Sequence, residues 1–447
     1  MIEKYYSGVI EQIYNRIGKE TRNIVMANYS NDFSIENLEV IRRYQSNEDN
    51  VFFAYSEFSY NTLVGAYEPF LDIICNMHRR FIGGSFDDFQ RECGVYYLHR
   101  QVLNSYYETG ECFREETVLL NEVAYEQRRM TKAIVDMLKR LSEVRPLMIV
   151  INRFQMASKS SIETIKYLID NPCTNIGIVL GVNVQVKGTD STVEVWDRIV
   201  ESLEDRSAIY YIGSAGQQKN HIRDTSDDEL YITTNFEQSI QEASNIMEFL
   251  DYEQAKRGCR IIEHKIKFED AWIDEKSLRR FYFIYARTSV LLGEMSKAIE
   301  LTNEYKALIP ESDSEHYFSI YYFMKGTCYM YQGKLEKAEG CAKKAYDYAL
   351  LADDELLEFK SELLSVMIKM SGWYNIFFCV QDIPVSDEFI EKIIKHGYRN
   401  HLAHIYIYAY DNSRDVVKQS FYDESLLKHF TKGLELAKKI GNEQLVY

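Results

Sequence analysis

Residues 147–168 constrain the fold more than any other stretch. Leu147-Met148-Ile149-Val150-Ile151 is an unbroken apolar run, closed by Asn152 and Arg153. A short run of this kind, ended by polar residues, predicts a strand. A polar turn follows through Ser158, and Ile162, Ile165 and Leu168 then recur at helical spacing on one face. Strand, turn and helix in succession predict an α/β domain. A second such unit lies upstream. Asn23–Ala27 is a short apolar strand after an amphipathic helix, Ala27–Ser34 is a polar loop, and Ile35–Ile41 has helical character.

The two units resemble the nucleotide-binding segments of STAND-type NTPases, the signalling branch of the AAA+ ATPases. The family's Walker B segment has four apolar residues, two Asp, a linker ending Trp-Ala-Asp, and then a Ser. In this chain the acids are Asn152 and Arg153, the Trp is Met156, the last Asp is Ser158, and the Ser is kept as Ser161. On the phosphate loop Gly-x-x-x-x-Gly-Lys-Ser/Thr, the glycines become Ala27 and Asp32 and the lysine becomes Phe33, so that Ser34 alone agrees. Such a loop works through open backbone N–H groups and a lysine on the outer phosphates. An acid beside it holds Mg²⁺. Asp32 would repel phosphate, Phe33 donates nothing, and an amide next to a cation cannot hold the metal.

The resemblance covers roughly residues 1–230. It aligns 50–55 with the second strand, 65–71 with the helix start after it, and 208–212 with the fifth strand. Residues 176–183 become the strand that carries the sensor residue, Asn183. It implies a degenerate P-loop-type, five-stranded parallel sheet ordered 5-1-4-3-2, with a helical stretch after it. It also implies a nucleotide switch whose chemistry has been lost, with no cofactor.

From about residue 235 strand-like runs stop and helical periodicity takes over. Helix exits fall at positions 309, 353, 397 and 441, a step of 44. A fixed period of this size signals stacked helical pairs. Gly293…Ala298 and Gly333…Ala338 mark turns between paired helices, with a small residue where the helices touch; Gly326 and Tyr329 supply a further small and aromatic position. The pattern resembles tetratricopeptide repeats in the long form of MalT-like regulators, with HEAT-like pairs as the alternative. The expected organisation is a degenerate STAND/AAA+-like domain over 1–230, a helical connector over 231–270, and an α-solenoid over 271–447 that continues further. Separate cores predict that a cut between 225 and 270 leaves two folded pieces.

Composition narrows the function. A net charge of −16 argues against a nucleic-acid-binding surface. No 18-residue apolar run or basic leader is present, so a cytoplasmic protein without membrane attachment is expected, of bacterial character from its Tyr, Ile and Lys content. Eight scattered cysteines without Cys-x-x-Cys are expected to be reduced thiols. The aromatic runs 317–323 and 405–410 suit either helix packing or a groove for a protein or peptide partner, and an oligomer is compatible with both. His401 and His404 share a helical face but lack a third ligand, so no metal is expected. Arg279-Arg280 is read as a solvated spot, and Asp353-Asp354-Glu355 as helix N-terminal charge.

The expected function is a non-catalytic signalling scaffold, a pseudo-ATPase with a repeat module that relays partner binding to a downstream output domain. The alternatives are a divergent active ATPase using Glu57 or Asp170, or the sensory part of a transcription regulator.

Overall fold

The computed structural model describes residues 2–19, 23–28, 35, 38–45, 50–58, 63–114, 116–183, 209–212, 236–268, 273–374, 385–409 and 424–442. The chain divides into two compact units. The first holds residues 1–95, 102–113 and 122–271; the second holds 96–101, 114–121 and 272–447.

The first unit is built on β1 (Asn23–Asn28), β2 (Phe52–Glu57), β3 (Leu147–Asn152), β4 (Ile176–Asn183) and β5 (Ile209–Ile212). All pair in parallel in the order β2-β3-β4-β1-β5. Its helices are α1 (Ile2–Arg16), α2 (Glu39–Gln45), α3 (Phe70–Met77), α4 (Phe86–Glu92), α5 (Tyr97–Thr109), α6 (Val123–Val144), α7 (Lys159–Asp170), α8 (Phe236–Glu248) and α9 (Tyr252–Phe268), with the first turn of α5 belonging to the second unit.

Every residue of β3 is buried. Met148 and Val150 join Phe53 and Val179 in a core with Ile10 and Ile13 of α1 and Ile41 of α2. Leu147, Ile149 and Ile151 point to the opposite face and are equally buried. Burial on both faces is what makes the strand an unbroken apolar run rather than an alternating one.

Residues 236–268 are not a separate connector. Ile240, Ala243 and Ile246 of α8 and Ala255, Cys259 and Ile262 of α9 form buried stripes at helical spacing. Polar bonds tie the same helices to the α/β core: the Ser160 N–H donates to Asp251, at the junction of α8 and α9, and Gln254 donates to the Val64 carbonyl.

In the second unit eight helices follow one another: α10 (Glu275–Leu291), α11 (Met295–Ala307), α12 (Ser314–Tyr331), α13 (Leu335–Leu351), α14 (Glu355–Tyr374), α15 (Asp387–Lys395), α16 (Arg399–His404) and α17 (Glu424–Ile440). A π-helical turn over Ile405–Ala409 extends α16. Tight turns at Gly293 and Gly333 fold α10 onto α11 and α12 onto α13. Ala298 and Ala338 are fully buried.

The exits after α13, α15 and α17 share one geometry. Asp353, Gly397 and Gly441 each have φ between 53° and 76°. The N–H one residue further on returns to a carbonyl of the helix: Asp354 to Ala349, Tyr398 to Ile393, and Asn442 to Ala437. This left-handed exit closes the last turn of a helix. Asp354 then caps α14 by accepting the Leu357 N–H at 2.9 Å.

No helix among the described residues is long and apolar enough to cross a membrane.

Candidate functional site

Parallel strands end together, so their carboxyl edge gathers the residues that close each strand. β1 and β4 end side by side at Asn28 and Asn183, and β2 and β3 at Glu57 and Asn152. In open α/β sheets ligands bind outside this edge.

Arg153 follows Asn152 in the left-handed conformation, φ 55° and ψ 41°. That turn brings its N–H to Asn152 Oδ1 at 3.1 Å. It also places the guanidinium against Glu57, with Arg153 Nη2 2.8 Å from Glu57 Oε1. Tyr55 donates its hydroxyl to the other oxygen of Glu57 at 3.2 Å. Asn152 Oδ1 also lies over Gly181 of β4, where a Cβ would come within 2.8 Å of it and within 2.2 Å of Ile35 Cδ1. The space between the ends of β3 and β4 is thus filled by an amide and an aliphatic side chain.

Of the positions aligned with the nucleotide site, Asn152 and Arg153 therefore meet at one edge with Glu57. Ala27 is the penultimate residue of β1, and Asn183 closes β4 opposite the next residue, Asn28. Asp32, Phe33 and Ser34 lie outside the described residues. Asp170, the other acid considered for catalysis, ends α7, is exposed and pairs with Lys166 at 3.2 Å. A helix that starts at the carboxyl edge ends about 18 Å away, so Asp170 belongs to the opposite side of the sheet.

Ser158 caps α7 by accepting the Ser161 N–H. Its hydroxyl also touches those of Ser160 and Ser161, at 3.0 and 2.9 Å. The Ser161 hydroxyl donates to the Glu68 carbonyl at 2.7 Å, and Ser160 Oγ accepts the Tyr67 N–H at 3.0 Å. The serine cluster thus joins the turn before α3 to the start of α7. Asp251, which accepts from Ser160 N–H, is fully enclosed, and burial holds its carboxyl above the usual range.

The remaining candidates resolve as packing. His401 Nδ1 lies 2.6 Å from Glu116 Oε1, and the backbone N–H groups of Asn400 and His401 also donate to that carboxylate. No group of three His, Cys, Asp or Glu side chains among the described residues could hold a metal ion. The seven cysteines among the described residues are thiols rather than disulfides, and Cys379 lies outside the described residues. Burial pushes the Cys75 and Cys93 thiols up to about 11 and Cys328 to about 12, which leaves them protonated and poorly nucleophilic at neutral pH.

Arg279 is not a solvated residue. It is buried, donates to the Leu308 carbonyl at 2.8 Å and lies over the Tyr317 ring. The run 317–323 is half-buried in interhelical contacts, with Tyr322 stacked on Tyr348 at 5.6 Å.

Neither the interaction of Arg153 with Glu57 nor the bonds to Glu116 carry a local sequence signal, because the partners are far apart along the chain. No protein-family model matches the chain, and no curated protein matches it in sequence.

Proposed function

We propose that the chain is a non-catalytic signalling scaffold. In this reading its first unit is a degenerate STAND/AAA+-like, P-loop-type domain that has become a pseudo-ATPase. Its second unit is a tetratricopeptide-like array that takes a protein or peptide partner and relays that event to an output domain downstream.

The observation that carries the reading is the fate of the Walker B position. An ATPase needs a free carboxylate there to hold Mg²⁺ against phosphate. Here that place holds Asn152, whose oxygen faces the Arg153 N–H, and Arg153, whose guanidinium is bound to Glu57. Glu57, the carboxylate that closes β2 on this edge, is thus neutralised by an internal cation. The parallel order of the sheet supports the same ancestry. Left-handed helix exits recurring down the second unit support a stacked array, whose exposed helix faces are the usual partner surface.

Calorimetry of ATP with Mg²⁺ titrated into the full chain tests the proposal. No heat of binding and no phosphate release are expected. Micromolar Mg²⁺-dependent binding would overturn it in favour of a divergent active ATPase.

A further inference from the structure

The first unit contains a cleft of about 350 Å³ between the turn before α3, the end of α5, and helices α8 and α9. Its volume lies at the small end of the range for ligand pockets. Leu63, Leu71, Ile246, Phe249 and Ile262 form apolar walls, and the acids Glu68, Asp72 and Glu242 line the same space. Among the described residues, no Lys, Arg or His lines it.

The acids are held in place but not neutralised. Glu68 Oε2 accepts the Gly65 N–H at 2.9 Å, Asp72 accepts the Tyr106 hydroxyl at 3.2 Å, and Glu242 accepts from Gln238 at 3.1 Å. All three donors are uncharged. Burial, and then the charges of Asp72 and Glu242, raise the Glu68 carboxyl above its ordinary value. Burial does the same to Glu242. An arrangement that opposes its own ionisation is relieved by a cation. The aromatic rings of Tyr106 and Phe249 meet edge to face at 5.5 Å beside these acids, and an aromatic face adds to the attraction for an organic cation.

We propose that this cleft is a binding site for a small organic cation with an apolar body, a protonated amine whose charge meets Glu68 and Glu242 while its hydrocarbon part lies against Phe249 and Ile246. An inorganic ion suits it less well, because the acids do not converge as a metal-ligating group. The apolar walls would also leave the rest of a hydrated ion's shell unmatched.

Calorimetry of the full chain with phenethylamine, and separately with its neutral counterpart 2-phenylethanol, tests this. The amine should bind saturably with Kd below about 1 mM, and the alcohol about tenfold more weakly or not at all. Glu68→Gln and Glu242→Gln should each weaken the amine by about tenfold, with circular dichroism unchanged. Using two sites keeps the test valid if one variant fails to fold. Absence of saturable amine binding, equal binding of the alcohol, or amine binding unchanged in both variants would each overturn the proposal.

Discussion

Arg153 Nη2 stands 2.8 Å from Glu57 Oε1, so the last residue of β2 is bound to the first residue beyond β3. The guanidinium reaches across because Arg153 is left-handed, a conformation that costs a non-glycine side chain energy and persists only where its surroundings hold it. Asn152 supplies one such hold by accepting the Arg153 N–H.

Removing this cation should be felt at the sheet edge. The Arg153 side chain is 36% exposed and Glu57 19%, so the pair lies between surface and buried cases. Solvent screening brings the expected cost of Arg153→Met down to about 1 kcal/mol, well below the loss for a fully buried pair. Glu57→Gln should cost less in the Arg153→Met background than alone. A double-mutant cycle with additive effects on the first unit's unfolding midpoint would show that the pair carries no coupling.

Helix contact in the second unit can be read from three substitutions on α13. Ala338 is fully buried, so Ala338→Leu should overpack and destabilise the second unit by about 1–3 kcal/mol. Lys337 is exposed and lies over the Tyr329 ring, so Lys337→Leu should cost little. At Gly340 a Cβ meets nothing within 4 Å, so Gly340→Ala should stabilise the helix by up to about 1 kcal/mol. Thermal denaturation of the three variants checks the order, and an Ala338→Leu midpoint equal to that of Lys337→Leu would remove the assigned contact.

Glu68 gives a stability that depends on pH with a definite sign. Its folded-state pKa is raised above the ordinary 4.5 by burial, then by Asp72 and Glu242, against the lowering effect of the Gly65 N–H. The stabilisation from holding its proton is complete below that ordinary value and is lost as pH rises through the raised one. Glu68→Gln, which keeps the acceptor for Gly65, should therefore raise the first unit's melting temperature most at neutral pH. The difference should shrink as pH falls below the carboxylate range. A constant offset from pH 4 to 8 would contradict the burial of this acid.

Glu116 should be among the least replaceable polar residues of the second unit. It is fully buried and accepts three bonds, from two backbone N–H groups and the His401 ring. Glu116→Gln turns an acceptor into a donor that faces these N–H groups. A loss of about 2–4 kcal/mol is expected, since unmade bonds in a dry site cost more than the bonds themselves contribute. Hydrogen exchange at the Asn400 and His401 amides would accelerate in step. Unchanged exchange would show that water or another group takes over.

Those elements whose signal is local were legible in the sequence. β3 could be read because a strand buried on both faces is apolar without interruption. The exits at 353, 397 and 441 could be read because two of them are Gly and the third, Asp353, is followed by Asp354, which caps the next helix. Membership of α8 and α9 in the first unit was not legible. Their buried stripes show that they pack, but not against what, and the deciding bonds run from Asp251 to Ser160 and from Gln254 to Val64. The burial of Arg279 was hidden for a related reason, because its partners, the Leu308 carbonyl and the Tyr317 ring, lie beyond its own helix. At the sheet edge the loss of the acids was readable from Asn152 and Arg153 alone. The capture of Glu57 by Arg153 depends on strands 95 residues apart, Phe58 and Arg153 being likewise joined through the Phe58 carbonyl.

Glu116 and His401 lie 285 positions apart, yet they complete one buried cluster in the second unit. During synthesis at about 5–20 residues per second, Glu116 is incorporated roughly 15–60 s before its imidazole partner. Glu116 is therefore made long before the Asn400 and His401 groups that bind it. The second unit closes late, and a fragment begun at 272 lacks the residues that satisfy Asn400 and His401 however long it is given to fold.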